Sequence, residues 1–347
     1  PTFDLVAPGR PNVIAVIDGD EPGPTLMFEG HMDVVTEGNE ANWSVDPFGA
    51  EIKDGRIWGR GSADMKSGLA AMLFAADAVR RSGPFAGRIV LGALVDEEGM
   101  MLGAKDFVSR GRAEGVDAVI CCEPEGGEIC HVAKGAIRLR IDFAGAMAHG
   151  AMPFQGRNPN VAVGHAIVAL GELQERLQEL HGHHPYLGDV WVTPTVLQAG
   201  EPVQMNVMPA NASAWIDVRT VPAVDHSRLV ADISALVAAT AESSGIVAVT
   251  SVIDDRPAVA TDESHALVRA VWDAHAAVTG EVPRLGGVPG STDGTILTSR
   301  TGMASVVYGP GGKWIAHQAD EFVAIDEIIS HAKVYVEAAR AFLVLTR

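Results

Sequence analysis

The chain has 347 residues, 47% of them hydrophobic and only 20% charged, which favours two domains with sizeable cores over a disordered or single small domain. A formal net charge of -18 argues against nucleic acid or an anionic membrane surface as partner, because both select basic patches. No apolar run reaches the ~18 residues that a membrane-spanning helix needs.

The opening PTFDLVAPGR has neither the basic nor the apolar region of a signal peptide. It also lacks an initiator Met, which suggests a processed or truncated start. NVIAVID (12–18) and TLMFEGHMD (25–33) are short apolar runs bounded by Gly and Pro and read as strands. MKSGLAAMLFAADAVRRSG (65–83) has Leu69, Met72, Ala76 and Val79 at helical spacing and Gly83 as a stop. RIVLGALVDEE (88–98) reads as a buried strand, GAKDFVSRGR as a short helix and DAVICCE (117–123) as another strand. This alternation predicts an α/β sheet covered by helices. His31, Asp33, Glu97, Glu98 and Glu123 all fall at the C-terminal ends of these strands, the edge where open α/β sheets bind ligands.

Near Lys134 the pattern changes. GAIRLRIDFAG (135–145) alternates apolar and polar residues, as a sheet with one wet face does. A long helix over 158–180, strands near 190–198 and 211–219, a helix over 226–243 and a strand over 245–253 follow. Strand-helix-strand-strand-helix-strand describes a small inserted α+β domain. From about residue 256 the chain returns to helix–strand alternation and closes with a helix over 326–344. The expected division is therefore a discontinuous catalytic domain (1–134 and 256–347) with a central mixed sheet flanked by helices, and an inserted domain (135–255).

The cysteines Cys121, Cys122 and Cys130 are odd in number and lack a fourth ligand at zinc-finger spacing, so they read as buried structural thiols in a reducing, cytoplasmic compartment.

Several short segments carry chemistry. GHMDVV (30–35) sets His31 and Asp33 on one side of a strand end, although a lone H-x-D is also an ordinary loop sequence. In GRGSADMKSG (59–68), Asp64 could be a helix N-cap or a ligand. VDEEG (95–99) crowds three carboxylates at an apolar strand end, a costly arrangement unless a cation or solvent relieves it. CEPEG (122–126) repeats the arrangement, and WIAHQADEF (314–322) supplies His317 beside Gly309, Gly311 and Gly312. Together they provide the imidazole and carboxylate donors that paired divalent cations accept, with an adjacent glutamate left to handle a proton.

With these segments in this order, the sequence resembles the di-zinc metallopeptidases that include acetylornithine deacetylase, succinyl-diaminopimelate desuccinylase, carboxypeptidase G and aminoacylase. The resemblance covers nearly the whole chain and includes the AHG segment of AMAHGAMP. It implies one ion held by His31, Asp64 and Glu123 and a second by Asp64, Glu98 and His317, with Asp64 bridging. Zinc is the implied metal, with cobalt or manganese chemically suitable. Glu97 would be the general base, activating a metal-bridging hydroxide, and Asp33 would hydrogen-bond the second nitrogen of His31. A cis Asp64–Met65 peptide is also implied.

The inserted domain would be a lid and dimerisation domain, making the enzyme a homodimer in which His149 reaches the partner's active site and donates to the oxyanion. Asn206 and Arg219 match positions that contact a substrate carboxylate, for which a guanidinium fork is suited. Thr292, Asp293 and Gly311 would line the same pocket. Relatives usually carry a longer helical segment before GHMDVV, which puts helix coverage of the sheet in doubt.

The implied reaction is hydrolysis of an amide bond in a small carboxylate-bearing substrate, of the N-acyl amino acid deacylase type. A dipeptidase or carboxypeptidase, or a carbamoyl or aryl-amine hydrolase, would use the same scaffold. A non-catalytic ligand-binding protein is the rival from another class. His181, His183 and His184 read as a solvated loop, and His165, His226, His265 and His275 as structural.

Overall fold

The structure is a computed structural model that describes residues 1–344. The chain divides into two compact units, residues 1–133 with 259–347, and residues 134–258. In chain order the first segment forms β1 (Thr2–Ala7), β2 (Arg10–Asp18), β3 (Glu21–His31), β4 (Glu51–Lys53), β5 (Arg56–Trp58), α1 (Ser67–Arg81), β6 (Ala86–Leu94), α2 (Leu102–Ser109), β7 (Ala118–Cys121) and β8 (Glu128–Ala133). The second unit holds β9 (Gly135–Ala144), β10 (Ala148–His149), α3 (Pro159–His181), β11 (Trp191–Ala199), β12 (Val207–Met208), β13 (Asn211–Thr220), α4 (His226–Glu242) and β14 (Val247–Arg256). The chain then completes the first unit with β15 (Val259–Ala260), α5 (Ala266–Thr279), β16 (Arg284–Val288), α6 (Asp293–Thr301), β17 (Ala304–Val307), β18 (Phe322–Ala324) and α7 (Ile325–Val344).

The main sheet of the first unit runs β1-β2-β6-β3-β7-β17-β8-β15, with β16 also pairing β8. Its centre, β6-β3-β7-β17, is parallel throughout, and antiparallel pairs flank it, so the mixed α/β sheet expected from the sequence is present. Leu26, Met27 and Phe28 are consecutive in β3 and all fully buried, because helices cover both faces of a central parallel strand. On one face α1, α5 and α7 pack through Ala71, Met72, Val271, Tyr335 and Phe342. On the other, α2 and α6 contribute Ala104, Phe107, Ile296 and Leu297. Both faces of the sheet are thus helix-covered.

Besides the short strands β4, β5, β10 and β12, which the sequence reading did not name, three local features differ from it. β1 is an additional strand whose alternation is inverted, with Phe3 and Leu5 exposed and Asp4 buried. β8 is also additional, lying in the segment read for its cysteines. The helix expected from residue 65 begins at Ser67, because Asp64 and Met65 have non-helical backbone angles; the peptide between them is cis.

In the second unit the sheet order is β11-β13-β9-β14, antiparallel throughout. β9 alternates buried and more exposed residues as a half-wet strand should. α3 and α4 pack on each other and on this sheet, giving the strand-helix-strand-strand-helix-strand order. Among the described residues no helix is long and apolar enough to cross a membrane.

Candidate metal centre

Parallel pairing brings the C-terminal ends of β6, β3, β7 and β17 to one edge of the sheet. Glu97 and Glu98 lie in the turn after β6, His31 ends β3, Glu123 follows β7, and the loop after β17 carries His317. Asp64 comes from the segment before α1. α1 begins three residues further on, at Ser67, with Lys66 in its cap position, so Asp64 is not the cap of that helix.

The two oxygens of Asp64 face different imidazoles. Oδ1 lies 3.0 Å from His31 Nε2, and Oδ2 lies 3.2 Å from His317 Nε2. Glu123 Oε1 stands 3.5 Å from His31 Nε2, and Glu98 lies 3.1 Å from His317 Nε2. Donor atoms of His31, Asp64 and Glu98 lie within 4.8 Å of one another, as do those of His31, Glu97 and Glu123. The structure therefore brings the five expected ligands and the expected base into one cluster. No cysteine belongs to either metal-competent group among the described residues, and all three thiols are free and buried.

Asp33 has a different task from the one expected. His31 Nδ1 is 2.9 Å from the backbone carbonyl of Asp33 and 3.9 Å from its carboxylate. A carbonyl only accepts, so Nδ1 carries the hydrogen and Nε2 faces the carboxylates. The Asp33 carboxylate instead accepts from the backbone N–H groups of Asp96 (2.7 Å), Glu97 (3.3 Å) and Glu98 (3.3 Å). It holds the turn that presents the glutamate pair.

Other residues that support the cluster were not singled out from the sequence. Glu321, fully buried, accepts from the backbone N–H of Ala63 (2.9 Å) and Asp64 (3.0 Å) and pairs with the buried Arg60 guanidinium. Arg60 also donates to the carbonyl of His317 at 3.3 Å. One ion pair thus ties the bridging aspartate to the loop of the late histidine. Small residues permit the close approach of these segments. A Cβ on Gly68 would sit 2.0 Å from the carbonyl oxygen of Cys122, and one on Gly309 would sit 2.3 Å from the same oxygen.

The electrostatics describe a site short of positive charge. Burial, opposed in part by His31, pushes the Glu97 and Glu123 carboxyls well above the ordinary range. Beneath them, burial and then the charge of Glu123 push Glu29 up to about 8. Burial and Glu29 likewise raise Asp293. Burial works against a charged His31, but Glu123 and Asp64 outweigh it and raise the imidazole. Hydrogen bonds to Asp64 and Glu98 raise His317 to about 10. Asp64 is held low because its two histidine partners outweigh its burial. Carboxylates crowded around imidazoles in this way fit divalent cations, which supply the missing charge.

The remaining expected residues separate into packing and second-unit groups. Thr292 is buried at the N-cap of α6, where its N–H donates to Thr295 Oγ1. Gly311 (φ +103°) packs against Ala63 and Pro124, leaving no room for a side chain. Both are packed into the scaffold in this structure. In the second unit, His149 is exposed on the β10–β12 ribbon, where Nδ1 accepts from the N–H of Ala151. Asn206 is close by, its carbonyl accepting from Gly150 N–H at 2.7 Å. Arg219 is paired with Asp217 through two hydrogen bonds of 2.6 and 3.2 Å. His183 and His184 build the loop expected of them, bonded to Asp189 and to the N–H groups of Tyr186 and Leu187. His226, His265 and His275 have structural partners.

A parallel sheet edge that gathers imidazoles and carboxylates around a doubly shared aspartate defines a metal-dependent hydrolase. The sequence matches Peptidase family M20/M25/M40 over residues 27–341, and the chain belongs to that family. A succinyl-diaminopimelate desuccinylase of Rhodospirillum centenum is 31% identical over 333 residues, covering 91% of this chain and 81% of the relative. Among solved structures, a tripeptidase of Staphylococcus aureus superposes with a TM-score of 0.78 at 22% identity, covering 98% of this chain and 88% of the other. A dinuclear metal-binding peptidase of the M20 family from Bacillus subtilis superposes with a TM-score of 0.74 at 19% identity, covering 100% and 88%.

Proposed function

We propose that this enzyme hydrolyses the amide bond of a small N-acyl amino acid, using two divalent cations. The observation that carries the reading is Asp64, whose two oxygens each face a different histidine. One ion would be held by His31, Asp64 and Glu123 and the other by Asp64, Glu98 and His317, with zinc the first candidate. Bound there, the pair would polarise the substrate carbonyl and lower the pKa of a water. Glu97 takes the proton of the attacking water onto its carboxylate and delivers it to the leaving amine nitrogen as the C–N bond breaks. Asp33 keeps Glu97 in place through the backbone of its turn.

The acyl-substrate class is supported by the desuccinylase relative. Arg219 and Asn206 are assigned to the substrate carboxylate, and His149 to the oxyanion in the partner subunit of a homodimer formed through the second unit. The reading includes a cytoplasmic location, which the absence of any cystine suits.

Metal analysis and a substrate panel test it. The wild-type protein should bind two equivalents of zinc and release amino acid from N-succinyl or N-acetyl amino acids faster than from di- and tripeptides. Glu97→Ala should keep both ions while turnover falls roughly 10²–10⁴-fold. Near-normal turnover in that variant would remove Glu97 from its role, and preferred cleavage of peptides would favour the tripeptidase-like alternative.

A further inference from the structure

The loop between β17 and His317 contains a lysine whose environment is unusual for that residue type. Lys313 has only 12% of its side chain exposed. Its ammonium lies 2.6 Å from Glu125 Oε2 and 3.0 Å from Glu128 Oε2, and it donates to the carbonyl of Gly287 at 3.0 Å. The thiol of Cys130 completes the surround at 3.6 Å. An ammonium has three N–H donors, and three oxygens take them. Although burial disfavours the charge, Glu125, with Cys130 and Glu128, more than offsets it and holds the Lys313 pKa above its ordinary value.

The partners of Lys313 are informative because of what they adjoin. Glu125 is two residues beyond Glu123, in the turn between β7 and β8. Lys313 is four residues before His317. A backbone bond from Gly126 N–H to the Gly311 carbonyl (3.0 Å) runs beside the ion pair. The two loops are thus joined by one charge contact and one peptide contact. A lysine on an ordinary solvated loop would keep its head in water, whereas this one is spent on fixing one loop against the other.

We propose that Lys313 is a positioning residue for the metal centre: by clamping the His317 loop onto the Glu123 turn, it sets the affinity of the His317-dependent cation site. The proposal rests on the two-cation reading above. Partners bonded directly to metal ligands are worth about 10–100-fold in metal affinity when removed, which bounds the effect of a residue acting through the loop. Glu123 lies two residues beyond β7 and is held by the sheet, whereas His317 lies mid-loop, so the effect falls on the His317-dependent site.

Metal-stripped protein is titrated with Zn²⁺ in competition with a chromophoric chelator, and separately with Co²⁺, whose absorption spectrum reports coordination geometry. The variants are wild type, His317→Ala, Lys313→Met and Lys313→Arg. Wild type should bind two ions, and His317→Ala should lose one of them. If it does not, the two-cation reading fails independently of Lys313, and the proposal falls with it. Given that pattern, Lys313→Met should weaken the His317-dependent site about 10–100-fold, leave the other within about twofold, and alter only the second cobalt spectrum. Lys313→Arg, which retains the charge, should lose less. Unchanged affinity at the His317-dependent site, or equal loss at both sites, would overturn the positioning role. Should Lys313→Met fail to fold, Glu125→Gln is read by the same criteria, with a smaller loss expected at the same site.

Discussion

Replacing Glu321 by alanine gives the most demanding test of how the metal centre is held. Glu321 is 0% exposed and Arg60 has 2% of its side chain exposed, with the guanidinium also lying over the Trp43 ring at 5.2 Å. Glu321→Ala leaves Arg60 as an uncompensated buried charge, which costs about 3–5 kcal/mol. It also strips the acceptor from two backbone N–H groups, those of Ala63 and Asp64. Each unpaired donor adds about 1–3 kcal/mol unless water reaches it. The lower end of this sum, about 5 kcal/mol, corresponds to a Tm drop of roughly 10–20 °C for a unit of about 150–250 residues. The assay is thermal unfolding of metal-stripped protein, followed by circular dichroism. A double variant, Arg60→Leu with Glu321→Leu, removes both charges together and should recover a substantial part of the loss, because no ion is left stranded. A drop below about 2 °C in the single variant, or a double variant no better than the single, would refute the reasoning.

Two further outcomes follow from the same region. Glu29 has a folded-state pKa of about 8 against 4.5 for the free group, so the folded state keeps a proton that the unfolded chain has released between those pH values. Stability of the metal-stripped protein should therefore fall as pH rises through this window, by about 1.4 kcal/mol per unit. Glu29→Gln should flatten that slope in urea titrations at pH 5, 6.5 and 8; parallel profiles for the two proteins would contradict the assignment. Gly68→Ala places a Cβ 2.0 Å from the Cys122 carbonyl, backbone against backbone. It should cost about 1–3 kcal/mol by overpacking and weaken metal binding through the adjacent Glu123; a Tm and zinc affinity equal to wild type would show that the contact relaxes freely.

What the sequence discloses about this site follows from burial. β3, β6 and β7 are central strands with apolar runs, and a histidine or carboxylate placed directly after such a run has no packing reason to be there. His31, Glu97, Glu98 and Glu123 are conspicuous for that reason, and parallel pairing then brings them to one edge. β1 is missed because its alternation misleads: Phe3 and Leu5 are exposed on the edge strand, while the buried position is Asp4, paired with Arg112. Asp33 is visible as a residue, but period-2 spacing fixes only the side of the strand it occupies, not that its carboxylate bonds the turn after β6 rather than the His31 ring. The supporting charges are hidden most completely. Arg60 and Glu321 are 261 positions apart, and Lys313 and Glu128 are 185 apart. Arg, Lys and Glu are mostly solvent-exposed residue types, so nothing local separates these four from the other charges of the chain. Residues with chemistry at a strand end announce themselves, whereas charges that hold them in place are distinguished only by the burial that folding imposes.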